Sequence, residues 1–320
     1  MARRGHGSLC SDAHYQTARR IADEGIVLLQ NRGDVLPLDL SHRPTVLVVG
    51  ENAIKMMTVG GGSSSLKAQR EISPLDGLKA RLKDVATVEY ERGYVGDTTG
   101  AYNGVTTGQD LTDSRSRQQL IADAVAKARK ANYVIIVGGL NKSDYQDCEG
   151  HDRKDYGLPY GQDELVEALA KVNRRVVFVN ISGNPVAMPW HDRVAAIVQG
   201  WYCGSESGEA LADVLSGDVS PSGKLPFTWP QRLEDVGAHA LKTYPGTWRD
   251  GHKIIDEEYR EGIYVGYRWA EAKHIRPLFA FGHGLGYTTF KLSDLRLSSS
   301  TLTAADSLTV TVNVRNTGHR

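Results

Sequence analysis

Short runs of β-branched apolar residues alternate with helix-length amphipathic stretches along most of this chain, and that alternation constrains the fold more than any other feature. TVLVV at 45–49, YVIIV at 133–137, VVFVNI at 176–181 and AAIVQ at 195–199 show almost no polar alternation. Strands of that kind are buried on both faces, as in a parallel sheet covered by helices. Between them, apolar residues recur at three- and four-residue steps. The first such stretch, 12–30, carries Ala18, Ile21, Ala22, Leu28 and Leu29, and others follow at 73–82, 114–130, 162–172 and 208–216. This spacing predicts amphipathic helices. Ser73-Pro74 is a helix opening, Gly217 a helix close, and 85–90 a further strand. Strands alternating with helices imply βαβ units, so residues 12–230 are expected to form one open α/β domain with a mainly parallel sheet and helices on both faces.

The pattern changes after Trp229-Pro230. Residues 231–286 have no clear period and hold the clusters YREGIYVGYRW (259–269) and PLFAFGHGLGY (277–287). They are expected to be a connecting segment packed on the first domain. Beyond them Leu308, Val310, Val312 and Val314 alternate with polar residues, which predicts a half-buried strand. Two strands cannot stand alone in water, so 287–320 reads as the opening of a truncated β domain.

The 38 basic and 38 acidic side chains balance, which removes the electrostatic reason to expect nucleic acid or an anionic membrane as partner. The longest apolar runs fall far short of the roughly 18–20 residues of a membrane span. The basic start, MARRGHGSLC, has no apolar segment behind it and is not a secretory signal. Localisation is therefore open, cytoplasmic by default, with export possible for a longer protein. Cys10, Cys148 and Cys203 are odd in number and widely spaced, fitting neither a disulfide framework nor a zinc site. No cofactor is expected.

In an open α/β sheet, ligands bind beyond the carboxyl ends of the strands. The loop after the first β-branched run contains Gly60-Gly61-Gly62-Ser63-Ser64-Ser65. Its amides and hydroxyls suit a sugar or polyol; a plain flexible loop is the alternative, and a phosphate cradle lacks its motif. The loop after 133–137 carries NKSDYQDCEGHDRKDYGLPY (141–160), the densest ionisable segment. A solvated charged loop and a metal site through Asp147, Glu149, His151 and Asp152 are both open, though no metal motif fits. The third reading is acid/base chemistry by Glu149, whose neighbour Gly150 lets the backbone bend toward a substrate. An Asp152-Arg153 ion pair is expected to shape the loop. The third loop, Ser182-Gly183-Asn184-Pro185, holds no good acid or base and reads as structure. Trp201 and Tyr202 offer a sugar an apolar face.

IADEGIVLLQN (21–31), EGHDR (149–153), SGEALADVLSGDVSPSGKLPFTWP (207–230), EEYREGIYVGYRW (257–269) and PLFAFGHGLGYTTF (277–290) occur in order. Together they closely resemble the C-terminal half of family 3 glycoside hydrolases, the β-glucosidase group. The resemblance implies a six-stranded α/β sandwich domain followed by a fibronectin type III-like domain, with an N-terminal catalytic barrel that these residues lack. It implies Glu149 as acid/base on a sandwich-domain loop, an aspartate nucleophile on the barrel, and a glycine-serine loop beside the sugar. Gly61, Gly62, Ser63, Ser64, Asp147 and Arg153 are the candidate substrate-binding residues. The implied partners are a β-linked oligosaccharide or glucoside and the barrel itself. Retaining hydrolysis needs two carboxyl groups about 5–5.5 Å apart, so this chain is expected to be inactive alone. A non-catalytic sugar-binding or structural module is the main alternative, and a nucleotide-binding α/β domain a weaker one.

Overall fold

The computed structural model describes residues 7–58, 68–96, 101–102, 105–143, 145–149, 152–251 and 254–319. Ser11 opens helix α1 (Asp12–Gly25). Its hydroxyl accepts from the His14 amide and the His14 ring accepts from the Ser11 amide, each at 3.4 Å, a reciprocal cap of the helix start. The helix stops at Gly25 and the chain passes directly into strand β1 (Val27–Asn31), where periodicity predicts helix as far as residue 30. The reason is burial. Ile26, Val27, Leu28 and Leu29 are all enclosed, so successive side chains need apolar neighbours on opposite sides. A strand covered on both faces provides this and a surface helix does not.

Strands β2 (Thr45–Val49) and β3 (Thr87–Glu91) follow, then a short hairpin, β4 (Ala101–Tyr102) with β5 (Val105–Thr106). Strands β6 (Tyr133–Gly139), β7 (Val176–Ile181) and β8 (Ala196–Gln199) complete a six-stranded sheet of order β1-β8-β7-β6-β2-β3. Every neighbouring pair is parallel except β1 with β8.

The strand residues divide by parity. Leu47 and Val49, Val134 and Ile136, and Val176 and Phe178 share one cluster with Ala124 and Ala128 of α3 (Arg117–Ala128) and with Leu165 and Leu169 of α4 (Gln162–Ala170). On the other face, Val179 and Ile181 close on Leu211 of α5 (Ser207–Ser216). Full burial of each such side chain is worth about 1.5–3 kcal/mol, so the sheet forms the centre of the core. Helix α2 (Pro74–Leu82) crosses α5 at two glycines. A Cβ on Gly77 would lie 2.1 Å from the Gly208 carbonyl oxygen, and one on Gly208 would lie 2.1 Å from that of Ser73. Only glycine permits backbones this close.

Past α5 the chain adds α6 (Gly237–Ala240), a hairpin of β9 (Thr247–Trp248) with β10 (Ile255–Asp256), and α7 (Tyr267–Ala272). The 277–287 motif returns to the sheet. The Trp229 amide donates to the Phe279 carbonyl at 2.9 Å and the Leu285 amide to that of Leu28 at 2.8 Å. The first compact unit runs to Leu285 and a second begins at Gly286. The second unit contains the antiparallel pair β11 (Phe290–Leu297) and β12 (Val310–Asn316), running from Phe290 opposite Asn316 to Leu297 opposite Val310 with a register shift between Ser293 and Arg296. Among the described residues no helix is long and apolar enough to cross a membrane.

Candidate active site

The chain leaves β2 for β3 on one side and β6 lies on the other, so the order reverses between β2 and β6. The crevice beyond their carboxyl ends is where an open α/β sheet binds ligands. Asn52, just past β2, donates to the Leu140 carbonyl, just past β6, at 2.9 Å. This bond ties together the loops that leave the two strands. Below it, Glu51 is fully buried and takes Arg92 at 2.9 Å and Lys55 at 3.4 Å. Glu71 closes the base of the first loop by accepting from the Met57 amide and from both the amide and the hydroxyl of Thr58. The expected sugar contacts Gly61, Gly62, Ser63 and Ser64 lie outside the described residues.

The second loop starts from Gly139, whose φ of +111° favours glycine. It ends at Gln162, which is buried. Within it Asn141 is buried, donating to the Tyr160 hydroxyl at 3.2 Å and accepting from the Ser143 amide at 2.8 Å.

Asp147 is bonded on three sides. Its carboxylate accepts from the Gly183 amide at 2.7 Å, from the Tyr202 hydroxyl at 2.8 Å, and from the Asn184 carboxamide. Arg153 donates through Nη2 to Asn184 Oδ1 at 2.8 Å and to the Pro185 carbonyl at 2.7 Å. Burial pushes its guanidinium down from the ordinary arginine value, opposed by the nearby Asp147 charge. The expected Asp152-Arg153 ion pair does not form. Asp152 accepts from the Tyr244 hydroxyl, and that bond pushes Tyr244 up to about 12. Arg153 turns instead to the 182–185 loop, where an amide oxygen and a backbone carbonyl both accept from its Nη2.

These contacts line a cleft of about 460 Å³ that includes Lys142, Gln146, Asp147, Arg153, Asn184 and Tyr202. Lys142 lies over the Tyr202 ring, 3.7 Å from its centroid, and burial pulls its ammonium down from the usual lysine value. Arg153 Nη1 and Gln146 Oε1 are buried without a hydrogen-bond partner. Glu149 is exposed on the same loop, and Gly150 and His151 lie outside the described residues. Among the described residues no group of three or more His, Cys, Asp or Glu is arranged to hold a metal ion.

The structure brings Asp147 and Arg153 together on one partner, Asn184. That residue was not a candidate, because an amide is neither acid nor base. The only sequence signal at it is its place in a tight turn directly after a buried strand at the ligand-binding end of the sheet.

The family model for the glycosyl hydrolase family 3 C-terminal domain matches residues 26–287. The chain belongs to that family. This family 3 domain is 48% identical over 323 residues to a β-glucosidase of Bacteroides ovatus, covering 99% of the chain and 42% of the relative. It is 35% identical to thermostable β-glucosidase B of Acetivibrio thermocellus, over 96% of the chain and 37% of that protein. Among solved structures, the family 3 β-glucosidase of Bifidobacterium adolescentis superposes with a TM-score of 0.82 at 31% identity, over 99% of this chain and 42% of that one. DesR, a β-glucosidase from Streptomyces venezuelae solved with D-glucose, gives 0.83 at 28% identity, over 100% and 51%. The family 3 domain thus spans between 37% and 51% of the length of these relatives. Its six-stranded, mainly parallel sheet is the fold that the resemblance implied.

Proposed function

We propose that this family 3 domain supplies one wall of a β-glucosidase active site, with Glu149 as general acid/base and an aspartate from a separate barrel domain as nucleophile. The observation that carries the reading is where Glu149 stands: exposed on a loop that is tied down before it by Asp147, which accepts from three donors, and after it by Asp152, which holds Tyr244. A loop anchored on both sides of an exposed carboxyl group, at the ligand-binding end of the sheet, suits proton transfer to a substrate that docks from outside.

In the first step the Glu149 carboxylic acid gives its proton to the glycosidic oxygen. The bond from that oxygen to the anomeric carbon breaks as the nucleophile's carboxylate bonds to the same carbon. In the second step the Glu149 carboxylate takes a proton from water, and the water oxygen displaces the nucleophile. One loop cannot serve both faces of a sugar ring, so the chain alone is inactive in this reading. Gln146 and Arg153 line the cleft and suit polar contacts to substrate hydroxyls, and Gly61, Gly62, Ser63 and Ser64 are the further candidate contacts to the sugar. The substrate in this reading is an uncharged β-glucoside with a non-reducing terminal sugar, supported by the β-glucosidase names of the relatives and by the D-glucose bound to DesR.

The test replaces the matching portion of the Bacteroides ovatus β-glucosidase with this chain and introduces Glu149→Gln. Aryl glucosides with poor leaving groups should lose about 10²–10⁴-fold in rate. Dinitrophenyl glucoside, which needs no acid, should keep its first step and recover turnover in azide. Equal rates for Glu149→Gln and the parent chimera on all substrates would refute the assignment.

A further inference from the structure

We infer that Asn184 is the positioning residue of the acid/base loop: one carboxamide holds Asp147 and Arg153 at once, and so fixes the segment between them that carries Glu149. The inference rests on the reading of Glu149 given above. It changes the expected role of Asp147 from substrate contact to anchor, since its carboxylate already has three donors within the protein.

The geometry is specific. Asn184 Nδ2 donates to Asp147 Oδ1, and Asn184 Oδ1 accepts from Arg153 Nη2 at 2.8 Å. The negative group meets the amide's donor end and the positive group its acceptor end, so the charges dictate the amide's orientation. Asp147 precedes Glu149 by two positions and Arg153 follows it by four. One residue before Glu149 and one after it are therefore held by a single side chain on another loop.

That second loop is itself braced from the sheet. Asn180, at the end of β7, donates to Gln199 Oε1 at 2.6 Å and to the Ser182 hydroxyl at 2.7 Å. Gln199 returns a bond to the Ser182 carbonyl at 2.7 Å, and the Ser182 hydroxyl donates to the Asn184 carbonyl at 2.8 Å. Asn180, Ser182 and Gln199 are all buried. An unbroken series of hydrogen bonds thus runs from the ends of β7 and β8, through Asn184, to both flanks of Glu149. Asn180 Oδ1 and Arg153 Nη1 are buried without partners, so the series constrains the loop only through the bonds it makes; a proton donor depends on its distance from the accepting atom, where about 1 Å of displacement costs on the order of 10²-fold.

In the chimeric enzyme, Asn184→Leu keeps the side chain's size and removes both bonds. Poor leaving groups should lose about 10–10²-fold in kcat, dinitrophenyl glucoside should lose less than about threefold in its first step, and KM should change little. Asn184→Asp keeps an acceptor for Arg153 but sets a carboxylate against Asp147, and should fall between Asn184→Leu and the parent. It also serves if Asn184→Leu fails to fold. In the Glu149→Gln background, Asn184→Leu should cost nothing further on poor leaving groups, because a positioning residue acts only through the group it positions. An equal loss on every leaving group, no loss at all, or a full additional loss in the Glu149→Gln background would overturn the inference. If Glu149→Gln itself shows no leaving-group selectivity, the acid/base assignment fails instead, so the two failures are distinguishable.

Discussion

Gln162 holds Gly139 by both of its backbone polar groups. The Gly139 amide donates to Gln162 Oε1 at 2.8 Å, and Gln162 Nε2 donates to the Gly139 carbonyl at 2.8 Å. The residue that starts α4 therefore replaces a strand partner at the end of β6 and closes the base of the loop that carries Glu149. Gln162→Leu retains volume but leaves two buried backbone groups without partners, each costing about 1–3 kcal/mol. The expected result is a lower urea midpoint with an unchanged slope. Gln162→Glu, which keeps an acceptor for the amide but loses the donor, should be less destabilised than Gln162→Leu.

A second prediction concerns Glu51. It is fully buried against Arg92 and Lys55, and its Oε2 also accepts from the Gly96 amide at 2.5 Å. Arg92 Nε is already buried without a partner. Glu51→Ala removes the compensating charge and should cost about 3–5 kcal/mol, as is usual when one member of a buried ion pair is deleted. Equilibrium denaturation measures this, and a loss under 1 kcal/mol would show that water reaches the site.

The third prediction is a pH dependence with an unusual sign for a carboxylate. Burial first, then the charge of Asp213, raises Asp23 from 3.8 to about 6. Glu24 and Glu209 add to the effect, Arg19 opposes it, and Asp23 Oδ1 is buried without a partner. The folded state thus holds this proton more tightly than the unfolded chain. The group's contribution is fully present below about pH 4 and is lost as pH rises through about 6. Asp23→Asn should remove that decline, so its melting temperature should gain on the parent between pH 4 and pH 7. Parallel melting curves across this range would contradict the assignment.

The crossing of α2 and α5 supplies the fourth. Gly208→Ala places a methyl group 2.1 Å from the Ser73 carbonyl oxygen, against backbone that cannot give way locally, so a loss of about 1–3 kcal/mol is expected. Gly25→Ala is the control. No atom lies within 4 Å of the added methyl and φ is not positive there, so the change should be neutral or stabilising by up to about 1 kcal/mol. Thermal melts of the two variants should move in opposite directions or differ by several degrees.

Much of the architecture was legible along the chain. The β-branched runs at 45–49, 133–137 and 176–181 are buried strands, and Ser73-Pro74 and Gly217 bound helices as their chemistry suggests. The failure at 26–31 is instructive. Val27, Leu28 and Leu29 satisfy a helical period and a buried strand equally well, and only the presence of β8 as an antiparallel partner decides between them.

The 141–160 loop divides in the same way. Local composition singled out the 141–160 segment and Glu149 within it, because ionisable residues beside glycine are a property of neighbours in sequence. It did not reveal that Arg153 would leave Asp152 for Asn184, that Asp152 would bond Tyr244, or that Asn184 would hold both sides of the loop. Secondary structure and a family's collinear motifs are written in short-range order, so the sequence by itself determined the layered sheet and the family. The partners of buried polar groups depend on which loops the crossovers bring to one end of that sheet, and residues 31 and 37 positions apart meet there. Only the tertiary structure could decide those pairings, since each polar group left without a partner in the interior costs free energy and accepts whichever donor or acceptor the fold places within reach.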